Sequence, residues 1–209
     1  MRQEYLEAAE VTARLLAEPA VAGSWHQPSA LPKLTVAGLA GHLARQLTQV
    51  HLVLSHHPAR RQRVVLLDHY ARSRWVDADL DDEANVSVRQ GGETEAAEGH
   101  VDLTDRVRDV LGQLPETLPR EPADRVVDLP WTSWSLSLDD FLTTRLLEIA
   151  VHSDDLAVSV GVPTPSLAPS ALRPVLALLT ELAVRRHGAV AVLRTLSRAE
   201  RAPGTIAAI

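Results

Sequence analysis

Apolar residues recur at spacings of three and four through much of this chain, the period of amphipathic helices rather than of strands. Leu39, Leu43, Leu47, Val50 and Leu54 draw one such stripe behind Thr35, an N-cap residue, and ahead of Pro58. They predict a helix over about 36–57. Tyr5, Leu6, Ala9, Val11, Leu15 and Leu16 give a looser face over 2–18, which Pro19 stops. The most sharply bounded pattern covers 138–160, where Ser137 and Asp140 make an S-x-x-D capping box and Gly161 and Pro163 close the helix. Weaker patterns predict helices over about 64–76, 93–114, 170–187 and 189–200. Between them, 22–34 reads as a loop broken by Pro28 and Pro32, "HHPARRQR" as a solvated turn, and "DADLDDEANVSVRQGGETE" as mostly loop. Pro115, Pro119, Pro122 and Pro130 keep 115–135 from being one long helix, and "DRVVDL" there is a candidate extended piece. The expectation is an all-α fold in one domain, with at most a minor extended element.

Composition sharpens that picture. The 209 residues suffice for one substantial core, and 45% hydrophobic with 23% charged residues is an ordinary globular balance. Aromatic residues make up only 3%, so Leu, Val and Ala must build the interior, a palette suited to helix-on-helix packing. The net charge of −6 and the lack of a long basic stripe argue against nucleic acid as a partner. "MRQEYLEAAE" is too polar for a signal peptide, and no apolar run approaches the roughly 18–20 residues of a membrane span. The expected location is the cytoplasm. There is no cysteine, which excludes disulfides, cysteine-ligated metal and a cysteine nucleophile. Thiol chemistry here requires a thiol from outside.

The helix over 138–160 carries an oddity. Arg145, Glu148 and His152 lie three and four residues apart and so form one polar column, which Asp155 extends by a further turn. Leu146, Leu147, Ile149, Val151 and Leu156 flank it. A solvated edge and a functional site both fit the column alone. A buried Glu148 would need a cation beside it: arginine, imidazolium or a metal. His42 sits at the rim of the other strong stripe, one turn from Leu39. Facing bundle helices can bring such side chains together. Two histidines and one carboxylate leave coordination positions open, the pattern of catalytic rather than structural metal sites. Arg145 is either a group that binds an anion or an ion-pair partner of Glu148. Asp155 is either an acceptor orienting His152 or a surface aspartate. Trp25, Trp131 and Trp134 are core residues or line a mouth. His26, His56 and His57 adjoin prolines in loops or turns, and His51, His69, His100 and His187 lack an acidic or histidine partner at helical spacing.

"LTVAGLAGHLARQL", followed far along the chain by "TTRLLEIAVHSDDLAVSVGVP", resembles the N-terminal metal-binding domain family of mycothiol-dependent maleylpyruvate isomerase, within the DinB-like superfamily. The tail "VLRTLSRAERAPGTIAAI" is similar to the ending of short members. The resemblance implies a DinB-like four-helix bundle of segments 2–18, 36–57, 93–114 and 138–160, with 165–209 as a helical appendage. It implies a divalent metal, commonly Zn²⁺, held by His42, Glu148 and His152, with mycothiol as cosubstrate. Family isomerases carry a further C-terminal domain, whereas residues 162–209 here read as two helices and a tail. The implied activity is therefore thiol S-transfer broadly, or isomerisation, between a small-molecule thiol and a small electrophile. A coordinated thiol is deprotonated, so such a metal supplies the nucleophile. The ligand set alone also fits an iron(II) oxygenase, although that chemistry usually sits on β-scaffolds. A non-catalytic metal-binding module is the alternative from another class. A monomer and a homodimer are both compatible with the chain.

Overall fold

The computed structural model describes residues 1–56, 60–76, 78–122, 124–202 and 204–208. Its helices are α1 (Arg2–Leu16), α2 (Pro19–Gly23), α3 (Val36–Leu54), α4 (Leu66–Arg72), α5 (Glu83–Glu95), α6 (His100–Thr117), α7 (Leu138–Val160), α8 (Pro169–His187) and α9 (Ala189–Ser197). Strands β1 (Val126–Asp128) and β2 (Ser135–Ser137) pair antiparallel, Val127 opposite Leu136. The fold is all-α with this one small ribbon, in which the extended reading of "DRVVDL" is realised. His57 and Pro58, read as part of a turn, lie outside the described residues.

Four helices make the bundle. α3 and α1 both pack against α7 and α6, so α3, which carries His42, and α7, which carries Glu148 and His152, are each braced on two sides. The stripe on α3 points inward as its period requires: Leu39, Leu43, Leu47 and Val50 are fully buried. α7 is buried over most of its circumference, with Phe141, Leu142, Leu146, Ile149 and Leu156 in the core. Thr35 caps α3 by accepting the Gly38 N–H at 2.9 Å, and Ser137 caps α7 by accepting the Asp140 N–H at 3.1 Å. Gly161 ends α7 at φ +71°, a left-handed conformation that a Cβ disfavours. α8 then returns along α7, and α9 packs on α8.

The largest departure from the sequence reading is α5. It occupies a stretch expected to be mostly loop, and the helix expected from about 93 begins only at His100, after a break at Gly99. α5 has almost no apolar face, and Gly92 is its sole buried residue. Glycines hold it in place. A Cβ on Gly41 would strike the Gly92 carbonyl oxygen, and one on Gly92 would strike that of Gly38. The α3 and α5 backbones thus touch directly. Thr35 Oγ1 adds a bond to Glu93 Oε1 at 2.9 Å. α6 also runs through Pro115 to Thr117, three residues past its expected end. α4 is shorter than expected, beginning at Leu66 and ending at Arg72.

Candidate metal centre

His42 comes from the middle of α3, and Glu148 and His152 come from adjacent turns of α7. The mutual packing of these helices brings the three together. Glu148 Oε2 lies 3.0 Å from His42 Nε2 and 3.3 Å from His152 Nε2, with the two imidazole rings edge to face at 4.7 Å. The three ligand atoms all lie within 4.8 Å of one another. Zn–N and Zn–O bonds near 2.1 Å place tetrahedral ligand atoms about 3.4 Å apart, so this spacing suits a small divalent ion. Two imidazoles and a carboxylate are a donor set that such an ion accepts.

Asp155 accepts at 2.9 Å from His152 Nδ1, which aims Nε2 at Glu148. This is the contact that an orienting acceptor would make. His42 is placed from behind by its own helix, where Gln46 Nε2 donates to the His42 carbonyl at 2.7 Å. It is also placed by α5, because Gly92 leaves only enough room for the His42 Cβ.

Arg145 does not pair directly with Glu148. Its guanidinium donates to Gln46 Oε1 at 2.7 Å, to Gln49 Oε1 at 2.9 Å and to Thr144 Oγ1 at 3.1 Å. The Phe141 and Trp131 rings lie 5.2 and 5.9 Å from it. The result is a half-buried cation held by neutral acceptors next to the centre.

The charges interlock. Burial pushes the Glu148 carboxyl up, but bonds from His152 and His42 outweigh it and hold the group well below the usual carboxylate range. Burial pulls the His152 ring down, yet Asp155 and Glu148 together carry it to about 9. Burial lowers His42, and its bond to Glu148 only partly offsets this. These directions favour an ionised Glu148 beside a protonated His152, with His42 the less basic of the two rings.

Several neighbours escaped sequence reasoning. Gln46 and Gln49, 2% and 9% exposed, sit four and seven residues after His42, a helical register that could have drawn attention to them. His69 on α4 is buried and takes the indole N–H of Trp134 at 3.1 Å. Nothing local marks it, because its partner lies far along the chain. The remaining histidines described are largely occupied elsewhere: His100 bonds the Leu16 carbonyl, His56 that of Leu52 and His187 that of Ala207. Trp25 packs in the core against His100, while Trp131 is nearly half exposed beside Arg145.

A helical bundle in which α3 and α7 bring two histidines and a glutamate together is, by fold and site, a candidate metal-centre protein. Residues 5–157 match the family described as mycothiol maleylpyruvate isomerase N-terminal domain, and the chain belongs to that family. The family is metal-binding and mycothiol-related. No curated protein and no solved structure matches the chain. No described helix is long and apolar enough to cross a membrane.

Proposed function

We propose that this chain is a divalent-metal-dependent thiol S-transferase, with mycothiol as the thiol and a small electrophile as acceptor. The observation that carries the reading is the convergence of His42, Glu148 and His152 within 4.8 Å on two braced helices. These three residues would hold the metal, and zinc suits both the nitrogen and oxygen ligands and an incoming sulfur. A bound divalent ion supplies a thiolate at neutral pH, from a thiol whose free pKa is about 8.5.

The chain's own residues do the rest. Glu148 lowers the net positive charge of the site, and Asp155 fixes the His152 tautomer so that Nε2 faces inward. Arg145, held rigid by Gln46 and Gln49, places positive potential where an anionic group of the thiol or acceptor would approach. Trp131 forms an apolar edge beside it. The lack of cysteine fits a site whose thiol arrives as a substrate.

The test is metal analysis joined to conjugation of mycothiol with monobromobimane. One equivalent of tightly held divalent metal and metal-dependent conjugate are expected. Saturable thiol binding without turnover would instead identify a non-catalytic binding module.

A further inference from the structure

α5 meets α3 and α6 along an open cleft of about 450 Å³, lined by Arg45 from α3, Gly91, Thr94 and Glu95 from α5, and Arg106 from α6. Two guanidiniums thus reach one cleft from separate helices. Arg45 is half-buried, yet it has no hydrogen bond and no ion pair among the described residues. Its position depends on a glycine. A Cβ on Gly91 would strike Arg45 Nη1 and lie 2.8 Å from Cζ, so the guanidinium rests on bare α5 backbone, in space that any other residue would fill. Arg106 spends only Nη2 inside the protein: it donates to the Glu95 carbonyl and lies 3.7 Å from Glu95 Oε1. Its Nη1 and Nε have no bond among the described residues, and neither has the exposed Thr94 hydroxyl. The one carboxylate of the lining, Glu95, is therefore engaged by Arg106 and leaves Arg45 without a counter-charge. Two arginines against one glutamate give the cleft a net positive charge. Planar guanidinium forks with free N–H groups, together with a hydroxyl, are the donors that bind a carboxylate or a phosphate.

We propose that Arg45, Arg106 and the Thr94 hydroxyl form an oxyanion site, separate from the metal centre, that takes the carboxylate or phosphate group of a small molecule. Such a group supplies the acceptors that Arg45 lacks and ties α3, α5 and α6 together. α5 has little else to hold it, because Gly92 is its sole buried residue. Gly92 also packs on the His42 Cβ, so an occupied site fastens the helix that backs one candidate ligand. The site uses none of His42, Glu148 or His152, and it stands whether or not the chain transfers a thiol.

The experiment titrates ¹⁵N-labelled protein with inorganic phosphate and, separately, with acetate, at an ionic strength held constant with sodium chloride. NMR follows the Gly91 amide and the Arg45 Nε–H, in protein as purified and again after chelator treatment and dialysis. At least one anion should shift both signals saturably, and equally in the two preparations. Tighter phosphate binding assigns the site to a phosphate-bearing ligand, and tighter acetate binding to a carboxylate. Arg45→Gln should weaken the better anion about tenfold, the usual scale for one hydrogen bond to a charged group. Gly91→Ala keeps every charge but moves Arg45 off its seat, and should weaken binding several-fold. Signals that do not saturate, binding lost on removal of metal, or wild-type affinity in both variants would overturn the site.

Discussion

Arg145 on α7 donates to Gln46 Oε1 on α3 at 2.7 Å, while the amide nitrogen of the same Gln46 side chain holds the His42 carbonyl at 2.7 Å. One glutamine thus links the helix carrying Glu148 and His152 to the backbone of the third candidate ligand. Gln46→Ala removes both bonds and leaves a half-buried guanidinium short of an acceptor. A loss of about 1–3 kcal/mol in unfolding free energy is expected, measured by denaturant titration. Metal affinity should fall as well, because His42 loses its brace. A variant with unchanged stability and metal affinity would show the link to be incidental.

Removing any one of the three candidate ligands should lower metal content and conjugation activity together. His42→Ala, Glu148→Ala and His152→Ala can each be compared with wild type by elemental analysis and by the monobromobimane assay. Full metal stoichiometry in all three variants would reject the centre. Asp155→Asn tests the next layer. It keeps the size of the side chain but loses the carboxylate that takes the His152 Nδ1 proton. Loss of such an orienting partner typically costs 10–100-fold in metal affinity, which competition with a chelator would measure.

The backbone contact between α3 and α5 makes a paired prediction. Gly92→Ala drives a methyl group into the Gly38 carbonyl oxygen, and backbone cannot swing aside. A destabilisation on the order of 1–3 kcal/mol is expected, read as a lower Tm, together with weaker metal binding through the displaced His42. At Gly91 the same methyl meets only the tip of the Arg45 side chain, which can move. Gly91→Ala should be near neutral or slightly stabilising, because alanine favours helix by up to about 1 kcal/mol over glycine. Similar Tm losses in both variants would show that helix propensity, not close approach, governs α5.

These glycines also explain what the sequence could and could not reveal. α3 and α7 were legible because each has a capping residue, a stripe of large apolar side chains and a terminator. The column Glu148, His152 and Asp155 follows from helical spacing alone. α5 was not legible, since "EANVSVRQGGETE" lacks an apolar face and its two glycines weaken local helix preference. Only contact with Gly38 and Gly41, more than fifty residues earlier in the chain, makes it a helix. The break at Gly99 shifted the start of α6 for the same reason, because it separates two helices where the sequence suggested one. His69 stayed hidden because its partner Trp134 is remote in sequence. Gln46 was open to view at helical spacing from His42, yet an uncharged amide signals no chemistry until Arg145 is seen to use it.

Two histidines give metal-free protein a stability that falls on both sides of about pH 6.5, for opposite reasons. Burial, helped by the Arg145 charge, holds the folded His69 pKa near 4, whereas the unfolded value is about 6.5. Between these values the unfolded chain binds the extra proton, so acidification from 6.5 to 4 removes stability, on the order of 3 kcal/mol in full. His152 has the reverse sign. Its folded pKa of about 9 lies above the unfolded value, so its contribution is complete below pH 6.5 and is lost as pH rises through 9. A metal ion at His152 Nε2 must displace that proton, so apparent metal affinity should climb up to about tenfold per pH unit between 6.5 and 9 and then level off. Thermal melts of metal-free protein across pH 4–9.5 should show both declines, with the acid limb shallower in His69→Phe and the alkaline limb absent in His152→Gln. Chelator competition over the same range reports the metal. An alkaline limb that persists in His152→Gln, or a metal affinity independent of pH from 6.5 to 9, would mean that the imidazolium between Glu148 and Asp155 is not what the metal replaces.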